Sequence, residues 1–334
     1  MEPAPRARLG LTSADIDRMI DALLFIGPEA GRKRSAFWVL LGLAGVISSA
    51  GVASDSTATV IGAMIVAPLM TPILGTALAL VLARKGSMVR SLGYVIGGAL
   101  LVIATGFAFG ALDPIGLVSE TNTQVQNRIN PGLIDLIAAL ATGTVGAFAL
   151  VRSDVSDTLP GVAIAISLVP PLAVAGLMLE AARYSDAFGS LLLFGTNVTA
   201  IIATGTAVLL LYGVRDVARE SGAQVGELRG RTLLVVASLV VLVAVPLSVG
   251  TTQVVSQRLA EAEAAPVARE WAEAQGWQVT LLDVRDGAVR LIALGPPPEA
   301  DPQELRERLD DAGIDLDLVV NLVVGGQREL PAVP

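Results

Sequence analysis

Between residues 36 and 254 the chain alternates long apolar runs with short polar connections. Each run is about 20 residues long, enough for a helix to cross the hydrocarbon core of a bilayer. Seven spans are predicted, at 36–53, 58–83, 89–112, 133–151, 158–181, 187–213 and 232–254. Ahead of them, Ser13 has the chemistry of an N-cap, and Ile16, Met19, Ile20, Leu23 and Leu24 follow helical spacing. That stretch is expected to be an amphipathic helix lying on the membrane surface, against the bundle or against a partner chain.

The pattern changes near residue 255. Ser256 to Gln275 is charged and helical, with Pro266 expected to bend or divide it. Gln278–Val284 and Val289–Leu294 alternate like strands around a hairpin at Arg285-Asp286-Gly287. Asp301-Pro302 carries the cap-and-proline signature of a helix start, that helix ends near Gly313, and Ile314–Val324 reads as a last strand. The expected organisation is an N-terminal helix and basic flank (1–35), three spans (36–112), a connection (113–132), three more spans (133–213), a linker with a seventh helix (214–254), and a soluble α-β-β-α-β domain (255–334).

Shifting the sequence by 99 residues aligns 41–112 with 140–211 without a gap. Ser54-Asp55 falls on Ser153-Asp154, Thr59 on Thr158, Gly62 on Gly161 and Pro72 on Pro171. Ser91-Leu92 falls on Ser190-Leu191, and the run 103–106 on 202–205. Matches at Asp, Pro, Ser and Thr exceed what apolar bias produces. A unit of three spans is odd-numbered, so its second copy enters the membrane from the other side. The fold class expected is therefore an all-α polytopic membrane protein with two inverted-topology three-helix repeats, a seventh helix and a small soluble α/β C-terminal domain. Inverted repeats of this kind build many secondary transporters, whose sites lie near the midplane at interrupted helices.

The second helix of each unit carries such interruptions: Pro68, Thr71 and Pro72 in one copy, Ser167, Pro170 and Pro171 in the other. A proline removes one amide donor and displaces the carbonyl a turn earlier. In hydrocarbon a freed carbonyl costs on the order of several kcal/mol unless protein, water or a solute satisfies it. Neighbouring helices can satisfy such a kink as well as a solute can. Asp55 and Asp154 precede these helices, one near each face, where they fit either N-caps or carboxylates at the mouths of a pathway. Asn197, beside Thr196 and Thr199 inside the sixth span, is a polar cluster whose counterpart is Gly98 next to Gly97. Close helix approach across the pseudo-two-fold, or a ligand role, would account for it. Glu120, Asn122, Arg128 and Asn130 lie on the 113–132 connection and are read as solvated or as caps of adjacent helices.

Composition narrows the chemistry. The chain is 53 % hydrophobic and 16 % charged, with mean hydropathy +0.67, too apolar for a soluble domain. It has no cysteine and no histidine, which excludes disulfides, thiolate metal sites and histidine proton relays. Aromatics are only 4 %, and no basic, aromatic-rich stretch suggests nucleic acid. The net charge of −8 comes from the acidic C-terminal quarter. Basic residues cluster at 32–34, at Arg84, Lys85 and Arg90, and at Arg215, Arg219, Arg229 and Arg231, which places the N-terminus in the cytoplasm. With seven spans the C-terminal domain would lie on the other side. No short apolar core with a cleavage site marks a signal peptide.

The motifs at 53–72 and at 159–173 resemble those of the domain of unknown function 389 family, membrane proteins of bacteria and archaea, over roughly 15–213. The resemblance implies a prokaryotic cell-membrane location and brings no substrate. Some members that this chain resembles carry a soluble N-terminal domain, where this chain has only the short helix near 13–25.

The function expected is a transporter or channel-like permease for a small solute or ion, not an enzyme, with no cofactor or metal. Its partners would be the lipid bilayer and further copies of itself. Gly93-x3-Gly97 and Gly106-x3-Gly110 would allow close helix packing within or between chains. The alternative is a membrane-anchored signalling or scaffold protein working through its C-terminal module. An intramembrane lipid enzyme is the weakest reading, since it lacks a nucleophile system.

Overall fold

The computed structural model of the protein describes residues 11–112, 122–129, 131–152, 168–222, 225–226, 256, 259–285 and 287–325. The chain divides into two compact units, Met1–Ser248 and Val249–Pro334.

In the first unit, α1 (Ser13–Leu23) is capped by Thr12, whose hydroxyl accepts from the Asp15 amide while the Asp15 carboxylate accepts from the Thr12 amide. The cap thus falls one residue ahead of Ser13, completed by the acid three residues on. Ile16, Met19, Leu23 and Leu24 are buried in the bundle core, so α1 spends its apolar face on the helices themselves.

Four described helices are long and apolar enough to cross a bilayer: α2 (Ala30–Ala53), α5 (Lys85–Ala111), α7 (Leu133–Val151) and α9 (Tyr184–Leu211). Many of their exposed positions are apolar, including Leu43 and Val46 on α2, Ile96 and Leu100 on α5, and Ile137 on α7. Such surface is stable only against lipid or another protein. The predicted span at 58–83 is two helices, α3 (Thr57–Val66) and α4 (Met70–Val81), bent by 47° at a break. A short helix, α6 (Thr123–Ile129), follows α5, and α8 (Val169–Glu180) and α10 (Val214–Glu220) complete the unit. The predicted seventh span at 232–254 and the first part of the fifth, with Pro160, Gly161 and Ser167, lie outside the described residues, as do Asp154, Glu120 and Asn130.

The 99-residue offset reappears in the helices. It carries α4 onto α8 and the start of α5 onto the start of α9. Each buried helix ends in the same way: the Arg84 amide donates to the Ala79 carbonyl and the Arg183 amide to that of Met178, closing a turn in which Ala83 and Ala182 take φ of +52° and +56°. A left-handed residue closing the last carbonyls is the Schellman stop, normally given to glycine. Here alanine occupies it at both equivalent places. Packing is reciprocal as well, since α4 lies against α5 and α9, and α8 against α9 and α5.

The second unit is a three-stranded sheet covered on one face by two helices. α11 runs over 259–274, followed by β1 (Gln278–Arg285), β2 (Ala288–Gly295), α12 (Pro302–Asp311) and β3 (Asp317–Val324). The order is β1-β2-β3, with β1 antiparallel and β3 parallel to β2. Trp271, Leu305 and Leu309 pack on Val289, Leu291 and Ala293. Pro266 does not divide α11: it sits on the exposed side, and the carbonyl its ring displaces belongs to the equally exposed Ala262, which water can reach. Asp301 caps α12 by accepting from the Gln303 amide, as its Asp-Pro signature predicts.

Candidate functional site at the two proline-started helices

Pro68 lies in the break itself, between Ala67 and Leu69, where the chain leaves helical geometry. Pro72 does not break a helix. It is the third residue of α4, a position whose amide has no intrahelical acceptor, so the ring costs nothing there. Pro170 and Pro171 occupy the second and third positions of α8, and Pro171 is the offset partner of Pro72. The prolines thus specify where two helices begin at the depth of the long apolar runs.

The carbonyls behind these prolines are answered by hydroxyls. Thr76 donates to the Pro72 carbonyl at 2.8 Å from one turn along α4, and Ser190 of α9 donates to the Pro171 carbonyl at 2.7 Å. The Thr71 amide turns back to the Pro68 carbonyl at 3.3 Å. Neither α4 nor α8 has a side-chain cap, so both start with their first amides unserved by side chains. Every residue from Pro72 to Val81 and from Val169 to Met178 is buried. Leu69 and Ile73 share one apolar cluster with Leu168, Val169 and Leu172, so the two helix starts border the same core.

The two crossings of this core are made by small residues. A Cβ on Gly176 would stand 2.9 Å from the Gly106 Cα, so α5 and α8 touch backbone to backbone. Offset by 99, Gly106 becomes Gly205, whose Cβ direction meets Ala77 at 3.4 Å, where α9 crosses α4. Gly106-x3-Gly110 therefore packs within the chain, on Ala173, Gly176 and Glu180. Gly98 faces Phe37, Leu41 and Leu69, and Gly97 faces Trp38. That small-residue patch packs inside its own three-helix set and not against Asn197, because the bulky rings of α2 claim the space. Asn197 is buried on α9, and beside it the Thr196 and Thr199 hydroxyls bond back to carbonyls of their own helix.

Asp55 stands elsewhere, at the end of α2. It is not the cap of α3. Ser56 takes that role, accepting from the Thr59 amide, while Asp55 adopts φ +50° in the turn between the helices. That conformation, tolerated by Asp, aims the carboxylate at α6, where it accepts from the Thr123 hydroxyl at 2.6 Å and the Gln124 amide at 3.0 Å. These bonds hold its pKa below the usual carboxylate value, Thr123 contributing most. Asn122 joins the same stitch, donating to the Val52 carbonyl and accepting from the Val125 amide, and Gln124 donates to Thr57. Behind them Arg128 grips the Gln124 carbonyl, and burial lowers its pKa against the opposing pull of Asp135 and Asp55. Asn122 and Gln124 are thus buried members of a network, not solvated loop residues. Val125 and Ile129 bury α6 against Val52, Val60, Val174 and Met178, so α6 straps α2–α3 to α8.

At the end of α4 the pinning group is Arg215 of α10. Its guanidinium donates to the carbonyls of Val81 at 2.7 Å and Gly226 at 2.9 Å, and burial pushes its pKa down. Arg18 of α1 likewise donates to the Leu150 carbonyl at the end of α7. Positive charge at a helix C-terminus is stabilising. Sequence spacing reads Arg215 only as part of a basic cluster. Among the described residues no three Asp or Glu side chains gather as a metal site would require.

Residues 64–203, from α3 into α9, match the family described as "Domain of unknown function (DUF389)". An uncharacterised protein of the archaeon Methanocaldococcus jannaschii is 33% identical over 176 residues, which are 53% of this chain and 54% of that protein. The chain thus spans about half the length of the curated relative it matches. No solved structure matches it.

Proposed function

We propose that the chain, whose residues 64–203 match the DUF389 family, is a membrane permease for a small solute or ion. What carries this reading is the pair of buried, uncapped helices, α4 and α8, begun by prolines and packed reciprocally on α5 and α9. A helix that starts within a bundle and shows no side to lipid adds nothing to an anchor. It is what a site between two repeats requires, since irregular backbone at membrane depth is tolerated only inside protein or along a cavity. The two three-helix sets are read as inverted repeats, and the path runs between them past Pro68, Thr71, Pro72, Ser167, Pro170 and Pro171. Gly98 stands over Leu69, and by the offset its partner Asn197 is read as lying over Leu168, at the start of α8. That makes Asn197 the polar side chain best placed at the second helix start. Asp55 and Asp154 are read as entrance or coupling carboxylates at the two mouths of that path. The protein works without catalysing a reaction, in a prokaryotic cell membrane, with a cytoplasmic N-terminus and as a homo-oligomer.

The test is flux of ions and small solutes into liposomes holding the purified protein. Asn197→Leu is expected to abolish it and Asp55→Asn with Asp154→Asn to slow it. Absence of flux for every solute class offered to a folded protein sinks the permease reading. A second reading, a scaffold working through its C-terminal module, is favoured by the compact second unit with its own core. It predicts that a chain ending at residue 255 keeps its bundle and loses its cellular role.

A further inference from the structure

The second unit carries a surface whose charges and small side chains are arranged about a centre. A groove of roughly 410 Å³ runs between α11 and the outer edge of β1, lined by Glu261, Ala262, Ala265 and Arg269 on the helix and by residues 279–282 on the strand. β1 is an edge strand, eight residues long, and an edge presents backbone donors and acceptors to any further strand. One outward amide, that of Val284, already bonds the Glu261 carboxylate at 3.4 Å, so the helix and the strand edge share this groove. The flank of α11 facing it is unlike the rest of the helix. Glu261 and Arg269 stand one turn before and one turn after Ala265, and the residues between them on that flank, Ala262 and Ala265, are the smallest a helix uses.

We propose that this surface joins two copies of the chain about a two-fold axis passing beside Ala265. Four residues separate Ala265 from Glu261 and four from Arg269. An axis there runs the two α11 helices antiparallel and sets Glu261 of each copy against Arg269 of the other, making both pairs at once. The alanines allow the helices to approach closely, and the same operation sets the two β1 edges side by side and antiparallel. A two-fold contact must be self-complementary, and this flank is. The occupant argued for is therefore a second copy. An unrelated acidic or basic peptide would complement only one of the two signs of charge. This inference concerns the second unit alone and stands whether or not the protein transports a solute.

The sequence has no cysteine, so one introduced thiol reports one position. Full-length protein in lipid, carrying Ala265→Cys, is oxidised and resolved without reductant. Glu273→Cys, exposed and about two turns along α11 from the axis, is the control. A disulfide needs Cα atoms within about 7 Å, which only the axis position meets. Ala265→Cys is expected to form a dimer at least tenfold faster than Glu273→Cys. Adding Arg269→Glu, which sets like charges across the axis, slows that at least tenfold, and adding Glu261→Arg to it restores the rate. Arg269 makes no hydrogen bond or ion pair among the described residues, so its replacement leaves the fold intact. Equal cross-linking at both thiols, none at residue 265 in protein of unchanged circular dichroism, or indifference to the charge swap would each overturn the proposal.

Discussion

Gly106 and Gly176 are in backbone contact: an added Cβ on Gly176 would overlap the Ile103 carbonyl oxygen and stand 2.9 Å from the Gly106 Cα. Gly176→Ala is therefore expected to push α5 and α8 apart. Overpacking a closed contact costs about 1–3 kcal/mol, and the backbone carbonyl here cannot swing aside as a side chain can. Gly205→Ala, at the offset-related crossing, meets only the Leu74 and Ala77 side chains at 3.2 and 3.4 Å and should cost less than half as much. Thermal unfolding of the two variants in one detergent measures the difference. A Gly205→Ala protein less stable than Gly176→Ala contradicts the crossing geometry.

Replacing Arg215 by Met keeps the stem and removes the donors to Val81 and Gly226. Leaving such carbonyls unpaired costs about 1–3 kcal/mol. The loss is expected at the end of α4, so hydrogen exchange of the amides at 79–84 should quicken more than that of α7. Uniform quickening throughout the bundle would show that Arg215 does not act locally.

Asp55 ties α6 by bonds that favour its ionised form, so its folded pKa lies below its ordinary value of 3.8. A depressed carboxylate pKa gives stability that is present above 3.8 and lost as pH falls through the folded value. Hydrogen exchange at 123–129 should accelerate as pH falls below about 4, after correction for intrinsic rates. Asp55→Asn should remove that pH dependence, since the amide has no charge to titrate. A variant that keeps it would show that the step does not come from Asp55.

In the second unit, Asp301→Ala removes the cap of α12 and should cost about 1 kcal/mol. Trp271→Ala empties a fully buried site and breaks the indole bond to the Asp301 carbonyl, for about 3–5 kcal/mol. Urea unfolding followed by Trp277 fluorescence separates the two, because Trp277 lies in the same core. Equal effects would mean that the cap and the core are not distinct contributions.

Local order was legible in the residues, and long-range order was not. Alternation placed β1 and β2 to within a residue, and Asp301-Pro302 named the start of α12, because both signals are carried by neighbours in sequence. The prolines at 68 and 72 marked the break, but spacing alone treats both as interruptions. Which one ends a helix and which one begins one depends on where the next turn starts. The place of Asp55 before α3 fits a cap or a pathway carboxylate, and neither signal points to its hydrogen-bond partner 68 residues away on α6. Arg215 was read by its charge, while its work is done by donors to a carbonyl 134 residues distant. The repeat could place Asn197 opposite a glycine but could not foresee that Trp38 and Phe37 fill the space over Gly97 and Gly98.

The α5–α8 crossing and its offset counterpart, α9 over α4, are unequal. Where α5 meets α8 there is no room for either backbone to slide, while α9 over Ala77 keeps side-chain clearance. Sliding α8 along α5 therefore meets backbone at once, whereas sliding α9 along α4 meets side chains first.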